Sequence, residues 1–348
     1  MDKLFWQQMT NARRYIDDAV STLTASENCK SVSLVIPKDI PWYTTMKSLI
    51  ESGVKQHNAM KSMDIIDCPE EAPGKYLLDS YCKREKRATY RPVKSYAQFL
   101  AEAEDIVLND KYIWVRNIPN TGKYHEWESF ITEYNQKMKK ENTPAVFILE
   151  YIGEESFQDR KALSVLCYRD YINPFDYYTL ATMIASGVSV EDKLKPYLSE
   201  LASCLCGDNL SACAACVAGG ERFLTDPISF MEENGIAYTL AADEKSLKKQ
   251  IWEVQIKILF PRIENYRSSF IEKYKSQIEN VLPINGPFGA MIESVEEVEI
   301  GPLSYMAGSR LIDVPAREGI KLSEIKTARD MLAHIKPLAY EDVRKILL

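Results

Sequence analysis

The stretch Ser31-Val32-Ser33-Leu34-Val35-Ile36 decides the fold class of this chain. Its residues are apolar or small and rich in β-branched side chains, which predicts a strand that is buried on both faces. Pro37 follows directly, and a helical pattern over 44–53 comes next. Further short apolar runs alternate with helical stretches in the same way, at 63–67, 112–118, 145–151 and 163–168. This alternation predicts an α/β fold with a largely parallel sheet flanked by helices.

Length and periodicity predict two domains, because a chain of 348 residues exceeds what one ordinary core needs. From Leu247 onward, apolar residues recur at the spacing of long amphipathic helices. We therefore expect an α/β domain over 1–242 and a smaller all-α domain over 243–348. In the second domain, the sequence predicts a helix break at Phe260-Pro261, a loop over 283–289 and helices over 322–335 and 340–347. In the first, it predicts helices over 2–24, 95–103, 126–140 and 176–185.

Net charge and the N-terminal residues limit the kinds of partner and the cellular location that the sequence predicts. A net charge of −7 and a pI near 5.3 argue against binding nucleic acid through general electrostatics, since that mode needs Lys and Arg to replace counterions along the phosphates. The first residues carry an early acid and no uninterrupted apolar run, and no stretch approaches the roughly 18 apolar residues of a membrane span. The sequence predicts a cytoplasmic protein without membrane contact.

Four of the eight cysteines cluster in the middle of the chain, as Cys204, Cys206, Cys213 and Cys216. Four thiolates are a familiar zinc ligand set, but six residues separate the two pairs, whereas zinc ribbons usually have about 15 to 20. The surrounding alanines and leucines are typical of helix packing, in which cysteine acts as a small hydrophobe. The sequence therefore argues against zinc here, and it predicts no other cofactor.

The segment after the first strand, 37–45, contains two prolines and no glycine. The strand-helix units over about residues 28–190 resemble the core of P-loop ATPases of the AAA-like or STAND-like kind. That resemblance places 31–36 before the phosphate loop and 112–115 before a metal-binding acid. A phosphate loop needs glycines so that backbone N–H groups can surround a phosphate, and Arg116-Asn117 stands where the acid is expected. The resemblance thus implies a degenerate core without ATP hydrolysis, and some other α/β fold is the alternative.

A basic segment lies between the second and third predicted strands, at 83–94. A basic segment with an interleaved tyrosine can hold a single nucleic-acid strand through phosphate contacts and stacking. The alternative is a solvated loop. The candidate nucleic-acid-binding residues are Lys83, Arg84, Lys86, Arg87, Tyr90 and Arg91.

Near the C-terminus, Arg329-Asp330-Met331-Leu332-Ala333-His334 brings together a cation, an acid and one of only three histidines. This string, late in a helical domain, resembles the R-x4–6-H motif of HEPN-superfamily domains, which implies metal-independent RNA cleavage at a site often shared by two protomers. In that scheme His334 moves protons and Arg329 stabilises charge in the transition state. Asp330 lies one helical turn before His334 and is expected to orient it. The alternative is an Asp-His pair on a helix surface.

Two functions follow from these features. The first is a non-hydrolysing interaction or regulatory protein, with a degenerate ATPase-like core, a HEPN-like module and a protein partner, of the kind found in prokaryotic conflict or genome-defence systems. The second is an endoribonuclease that uses Arg329, Asp330 and His334, acts on RNA or another single strand and forms a homodimer. The remaining histidines, His57 and His125, are predicted to be surface residues.

Overall fold

The computed structural model describes residues 1–25, 29–104, 106–139, 143–236, 243–285 and 291–348. Contacts between residues divide the chain into two compact units, Met1–Asp176 and Tyr177–Leu348. This division falls earlier than the predicted boundary after residue 242, which itself lies outside the described residues. The independent folding of 1–242 and 243–348 stays a prediction.

The first unit alternates strands and helices, as predicted. Its strands are β1 (Ser31–Ile36), β2 (Ser62–Asp67), β3 (Lys111–Arg116), β4 (Val146–Ile152) and β5 (Leu163–Cys167). Its helices are α1 (Thr10–Thr24), α2 (Tyr43–His57), α3 (Pro73–Tyr81), α4 (Arg84–Arg87), α5 (Tyr96–Glu102), α6 (Thr121–Lys137), α7 (Tyr168–Tyr171) and the start of α8 (Pro174–Ser186). The predicted end of the sixth helix, residue 140, lies outside the described residues.

All five strands run parallel, in the order β2-β3-β4-β1-β5, which confirms the predicted α/β class. The register aligns Val32, Ile148, Trp114 and Ile65 across the sheet, so these side chains share one face. Helix α1 packs on β1 and against α2 on that side. The opposite face, centred on Leu149, joins a core made largely with α3, α5 and α6. Burial on both faces explains why the strands read as continuous apolar runs.

The second unit is mostly helical. After α8 it contains α9 (Lys195–Cys206), α10 (Leu210–Gly219), α11 (Glu221–Thr225), α12 (Pro227–Glu233), α13 (Glu244–Glu279), α14 (Ile300–Gly308), α15 (Ala316–Ala333) and α16 (Tyr340–Leu347). A short antiparallel pair, β6 (Ile284–Asn285) and β7 (Met291–Ile292), lies between α13 and α14.

A buried glutamine joins three parts of this unit. Gln255 of α13 donates to the Tyr197 hydroxyl of α9 at 3.2 Å and to the Leu338 carbonyl at 3.0 Å. It also accepts from the Leu338 amide at 2.7 Å. Because a buried amide must be hydrogen-bonded to avoid a desolvation cost, these bonds fix α9 and the chain before α16 against α13. The helices of 177–236 therefore group with the later helices rather than with the sheet.

The predicted helix break at Phe260-Pro261 is wrong. Helix α13 continues through Pro261, and its one residue outside helical geometry is Tyr274, with φ −108° and ψ 15°. Pro261 is exposed, so water can hydrate the carbonyl group that loses its helical N–H partner. The predicted loop over 283–289 is partly wrong, since Ile284 and Asn285 form β6. Pro283 lies outside any helix or strand, as predicted, and residues 286–289 lie outside the described residues.

Within the described residues, every helix is too short or too polar to cross a lipid bilayer.

Candidate functional site

The strand order directs attention to the carboxyl ends of β1 and β4. From the end of β1 the chain runs toward the β2 edge of the sheet, whereas from the end of the adjacent β4 it runs toward the β5 edge. In open parallel sheets, ligands bind outside the carboxyl ends of strands at such a reversal. The candidate crevice is therefore bordered by the segment after β1, the start of α2 and the end of β4.

Aromatic packing holds the segment after β1. Trp6 is buried and its indole donates a hydrogen bond to the Pro41 carbonyl at 3.2 Å. Trp42 lies in the left-handed region at φ 48°, and its ring contacts the Phe5 ring with centroids 5.7 Å apart. A glycine-rich loop would instead leave its N–H groups free to surround a phosphate. Here the N-terminal residues occupy one side of the segment.

A carboxylate of the chain itself lies at the start of α2. Asp2 accepts a hydrogen bond from the Thr45 hydroxyl at 2.8 Å, and Thr45 is the third residue of α2. This hydrogen bond lowers the pKa of the Asp2 carboxyl, helped by the backbone N–H of Lys3. The N-terminus of a helix attracts anions through its free N–H groups and its dipole. An internal carboxylate at this place competes with an incoming phosphate.

A second carboxylate, Glu150, is buried near the end of β4, where it is 2% exposed. Its Oε2 accepts hydrogen bonds from the Tyr43 hydroxyl at 2.7 Å and from the Trp114 indole at 3.0 Å. Burial raises the pKa of the Glu150 carboxyl, and both hydrogen bonds and the charge of Arg116 oppose that shift. Burial and the adjacent Glu150 likewise raise the pKa of Tyr43. The bonds join α2, β3 and β4 at the crevice.

Arg116, the last residue of β3, and Asn117, which follows it, bind an acid of the chain. Arg116 Nη2 lies 3.1 Å from Asp67 Oδ1, and the Asn117 side chain donates to the same oxygen at 2.8 Å. Asn117 is in the left-handed region at φ 55°, a conformation that asparagine tolerates better than most residues. This edge of the sheet therefore holds an arginine-carboxylate pair where the P-loop resemblance expects a metal-binding acid. Lys38 is exposed in the segment after β1.

A further acid cluster lies on α6. Glu128 is 7% exposed and accepts from Arg160 Nε at 2.8 Å, while its second oxygen lies 2.9 Å from His125 Nδ1. Burial alone would raise the pKa of the Glu128 carboxyl, but the bonds to His125 and Arg160 outweigh it and the net shift is downward. His125 is exposed as predicted, although it has a partner that the sequence interpretation missed.

Arg329, Asp330 and His334 lie at the end of α15. The helix ends at Ala333, and His334 is exposed at its C-cap. Arg329 pairs with Glu299 and with Asp330, both at 3.7 Å, and Asp330 also binds Lys326 at 2.9 Å. Among the described residues, none hydrogen-bonds the His334 imidazole, so the expected Asp330 bond to it is not formed. Their catalytic role stays a prediction.

The turn after His334 has an unusual residue. The Lys336 amide donates to the Met331 carbonyl at 3.0 Å and the Ile335 amide donates to Leu332 at 3.2 Å, which is the Schellman pattern of a helix end. Ile335 occupies the left-handed position at φ 57°, where glycine is usual and a β-branched residue is strained. The bend turns the chain sharply away from the helix axis directly after His334.

The basic segment divides into free and engaged cations. Arg87 donates to the Asp79 carbonyl at 3.0 Å, Arg91 donates to the carbonyls of Ala88 and Tyr90 at 2.8 Å, and Lys94 pairs with Glu102. The Tyr90 ring stacks on the Tyr96 ring at 4.6 Å, so one face of it is already covered. Among the described residues, none forms a hydrogen bond or ion pair with the side chains of the other three cations of the segment, which are Lys83, Arg84 and Lys86.

The four clustered cysteines lie in the packed helices α9 and α10. Cys206 Sγ is 3.6 Å from Cys216 Sγ, while Cys213 lies 3.9 Å from the Ser203 hydroxyl. Burial raises the pKa of Cys213 to about 12, so this thiol stays protonated. No group of three or more His, Cys, Asp or Glu side chains in the described part of the chain is placed to hold a metal ion.

Sequence reasoning missed the two carboxylates at the crevice, Asp2 and Glu150. The sequence does contain a signal for Glu150, which is the one charged residue in the apolar run 146–152. A charge in a buried strand requires a partner. Asp2 had no such signal, because its contact with Thr45 joins segments that no periodicity relates.

No protein-family model matches this chain, and no curated protein sequence does either.

Proposed function

We propose that this chain is a non-hydrolysing interaction protein whose parallel-sheet unit is a degenerate nucleotide-binding core. The single observation that carries the proposal is the Asp2 carboxylate at the start of α2, hydrogen-bonded to Thr45 at 2.8 Å. A triphosphate bound at this helix would meet that negative charge and would have to displace it. A component role in a prokaryotic conflict system, which rests on the P-loop and HEPN resemblances, is part of the same proposal.

Other contacts at the crevice support the proposal. The segment over 37–42 has no glycine and is held by Trp6, and its two prolines lack the N–H that a phosphate loop would use. The hydroxyl of Tyr43 and the guanidinium of Arg116 are engaged with Glu150 and Asp67. Groups that could hold a phosphate or a metal therefore bind one another. The layered core is retained as a scaffold that presents surfaces to a protein partner.

Calorimetric titration with ATP and Mg²⁺ tests this proposal. We expect no binding at micromolar nucleotide and no phosphate release. The Lys38→Ala variant is the matched control, because a nucleotide seated beside the first strand would lose affinity when this exposed cation is removed. Micromolar affinity that Lys38→Ala weakens, together with Mg²⁺-dependent turnover, would contradict the proposal.

The second candidate is a metal-independent ribonuclease that uses Arg329 and His334. The observation that favours it is the end of α15 at Ala333, which leaves the His334 imidazole exposed beyond the helix. A solvent-exposed imidazole can accept and donate protons during catalysis. Against this candidate stand the acids Glu299 and Asp330 that pair with Arg329.

Incubation with a structured RNA in EDTA tests the second candidate. Cleavage by the unmodified chain should be lost in His334→Ala and should survive in His57→Ala, which alters another histidine that lies outside this motif. Identical RNA patterns from all three proteins would remove the ribonuclease candidate.

A further inference from the structure

The two edges of the sheet differ in how their backbone groups are satisfied. At the β5 edge, the amide of Arg160 donates to the Leu163 carbonyl at 2.8 Å and the amide of Leu163 donates back at 3.3 Å. The Val165 amide donates to the Asp159 carboxylate at 2.6 Å. The chain thus covers this edge with its own preceding turn, which is a usual protection against pairing with another strand.

The β2 edge has no such cover in the described part of the chain. Directly after β2, the Cys68 amide donates inward to the Arg116 carbonyl at 2.7 Å. Because successive residues of a strand direct their N–H and C=O groups to opposite sides, Met63, Ile65 and Asp67 direct theirs away from β3. No described residue hydrogen-bonds those outward groups. A row of free donors and acceptors of this kind can accept an added strand.

A side-chain pocket of about 220 Å³ adjoins this edge, between β2 and α2. Its apolar lining comes from Val54 of α2, Met63 and Ile65 of β2, and Tyr112 of β3. A strand added to β2 would direct alternate side chains to the same face as Met63 and Ile65. One of them would therefore lie beside the pocket, which has room for an aliphatic side chain.

The charges around the pocket specify the partner further. Lys55 and Lys61 line it together with a single acid, Glu51, which already pairs with Lys47 at 3.6 Å. Lys61 donates to the Pro144 carbonyl and lies 5.7 Å from the Tyr112 ring centroid. Lys55 is exposed and has no ion-pair partner among the described residues. The local balance is positive, so a carboxylate complements it.

We propose that the β2 edge binds an extended segment of a protein partner by strand addition, with an aliphatic side chain in the pocket and an acidic side chain two residues away beside Lys55. Residues two apart in a strand lie on one face, which sets this spacing. Backbone hydrogen bonds to the outward groups of Met63 and Ile65 would supply affinity, and the pocket would supply selectivity. The inference rests on the interaction role proposed above and names the surface that performs it.

Selection from a phage-displayed library of random ten-residue peptides on the immobilised full chain tests the inference. We expect enrichment of sequences with an aliphatic residue and an acid two positions apart. A synthetic peptide of the enriched sequence should then bind in solution, measured by fluorescence anisotropy. Methylation of its alternate backbone nitrogens should abolish binding, because it removes the donors that pair with the edge.

Three variants locate the site. Lys55→Glu should lower the affinity for the peptide by about tenfold or more. Lys137→Glu makes the same charge reversal at the exposed end of α6 and should leave the affinity unchanged. Ile65→Pro removes one outward N–H and keeps the inward bonds to β3, so it should abolish binding. Absence of the aliphatic and acidic spacing, or equal affinity for Lys55→Glu and Lys137→Glu, would overturn the inference even if Ile65→Pro unfolds.

Nucleotide titration of the same samples tests the crevice separately, because ATP binding beside intact peptide binding would contradict only the degenerate-core argument.

Discussion

Tyr43 donates its hydroxyl hydrogen to Glu150 at 2.7 Å and thereby joins the first residue of α2 to β4. Trp114 donates to the same oxygen, so one buried carboxylate bonds both α2 and β3. Hydrogen bonds recover part of the free energy that a carboxylate loses on leaving water, but the upward shift of the Glu150 pKa means that burial outweighs them. Ionisation of the Glu150 carboxyl therefore destabilises the folded protein, and the pH dependence of the free energy of unfolding should show this.

Glu150→Gln should change how stability depends on pH. Since the folded pKa of Glu150 is raised, the folded protein keeps a proton that the unfolded chain releases. Its contribution to the free energy of unfolding is therefore largest below the unfolded pKa and falls as pH rises through the folded pKa. Glutamine keeps a similar shape without titrating. In urea unfolding from about pH 4 to about pH 8, the wild-type value minus the variant value should decrease, and a constant or rising difference would refute the assignment.

Glu128→Gln should give the opposite slope in the same experiment. The bonds to His125 and Arg160 lower the net pKa of Glu128, so its stabilising contribution is present above the unfolded pKa and is lost as pH falls through the folded pKa. At neutral pH we expect a loss of about 1 to 3 kcal/mol, since a buried charged hydrogen-bond network is broken. Glu126→Gln, an exposed neighbour paired with Lys123, should change little. Equal losses for the two variants would show that burial does not matter here.

Gly74→Ala should destabilise the first unit. A Cβ at Gly74 would lie 2.4 Å from the Tyr96 Cβ, an atom that cannot move without its backbone. Overpacking of this kind costs about 1 to 3 kcal/mol. Gly301→Ala is the control, because a Cβ there meets nothing within 4 Å and alanine favours the helix by about 0.5 to 1 kcal/mol. Thermal unfolding by circular dichroism distinguishes them, and a neutral Gly74→Ala would show that α3 and α5 can separate at no cost.

The sequence predicted the sheet well because its strands are local signals. β1 and α16 agree with the predicted bounds at both ends, since Pro37 ends one apolar run and the spacing of Tyr340 to Leu347 defines one helical face. Helix α3 was missed because it is short and begins with Pro-Gly. Helix α13 was divided wrongly because an exposed proline is tolerated where water replaces the lost partner.

The candidate site was less predictable because its contacts are long-range. Glu150 could have been identified as a charge in an apolar strand, whereas the bond from Thr45 to Asp2 follows no periodic pattern. The basic segment was predicted as a set of equal cations, but half of the set is engaged by carbonyl groups and acids that sequence spacing does not reveal.

Ile335→Gly should stabilise the second unit. The left-handed conformation costs an ordinary residue about 1 to 2 kcal/mol, and glycine avoids this cost. Glycine is also more flexible in the unfolded chain, which offsets about half of the gain in stability. We expect a net gain of about 0.5 to 1 kcal/mol in urea unfolding, because Ile335 is 58% exposed and gives up little packing. Ile335→Ala keeps the strained conformation and should gain less. A less stable glycine variant would show that the isoleucine side chain contributes contacts that outweigh its backbone strain.

Binding of a single strand to the basic segment should depend on its free cations. Lys83, Arg84 and Lys86 can replace counterions directly, whereas Arg87 and Arg91 would first have to leave the carbonyl groups that they bind. In anisotropy titrations with labelled oligouridylate, we expect the triple alanine variant of the three free cations to lower affinity. The slope of log affinity against log salt should fall in magnitude by about 2, since each single-strand phosphate contact contributes about 0.7. A control triple at the exposed Lys38, Lys137 and Lys161 removes the same charge elsewhere. Equal losses in the two triples would indicate non-specific attraction, and no binding by the unmodified chain would leave the segment as a solvated loop.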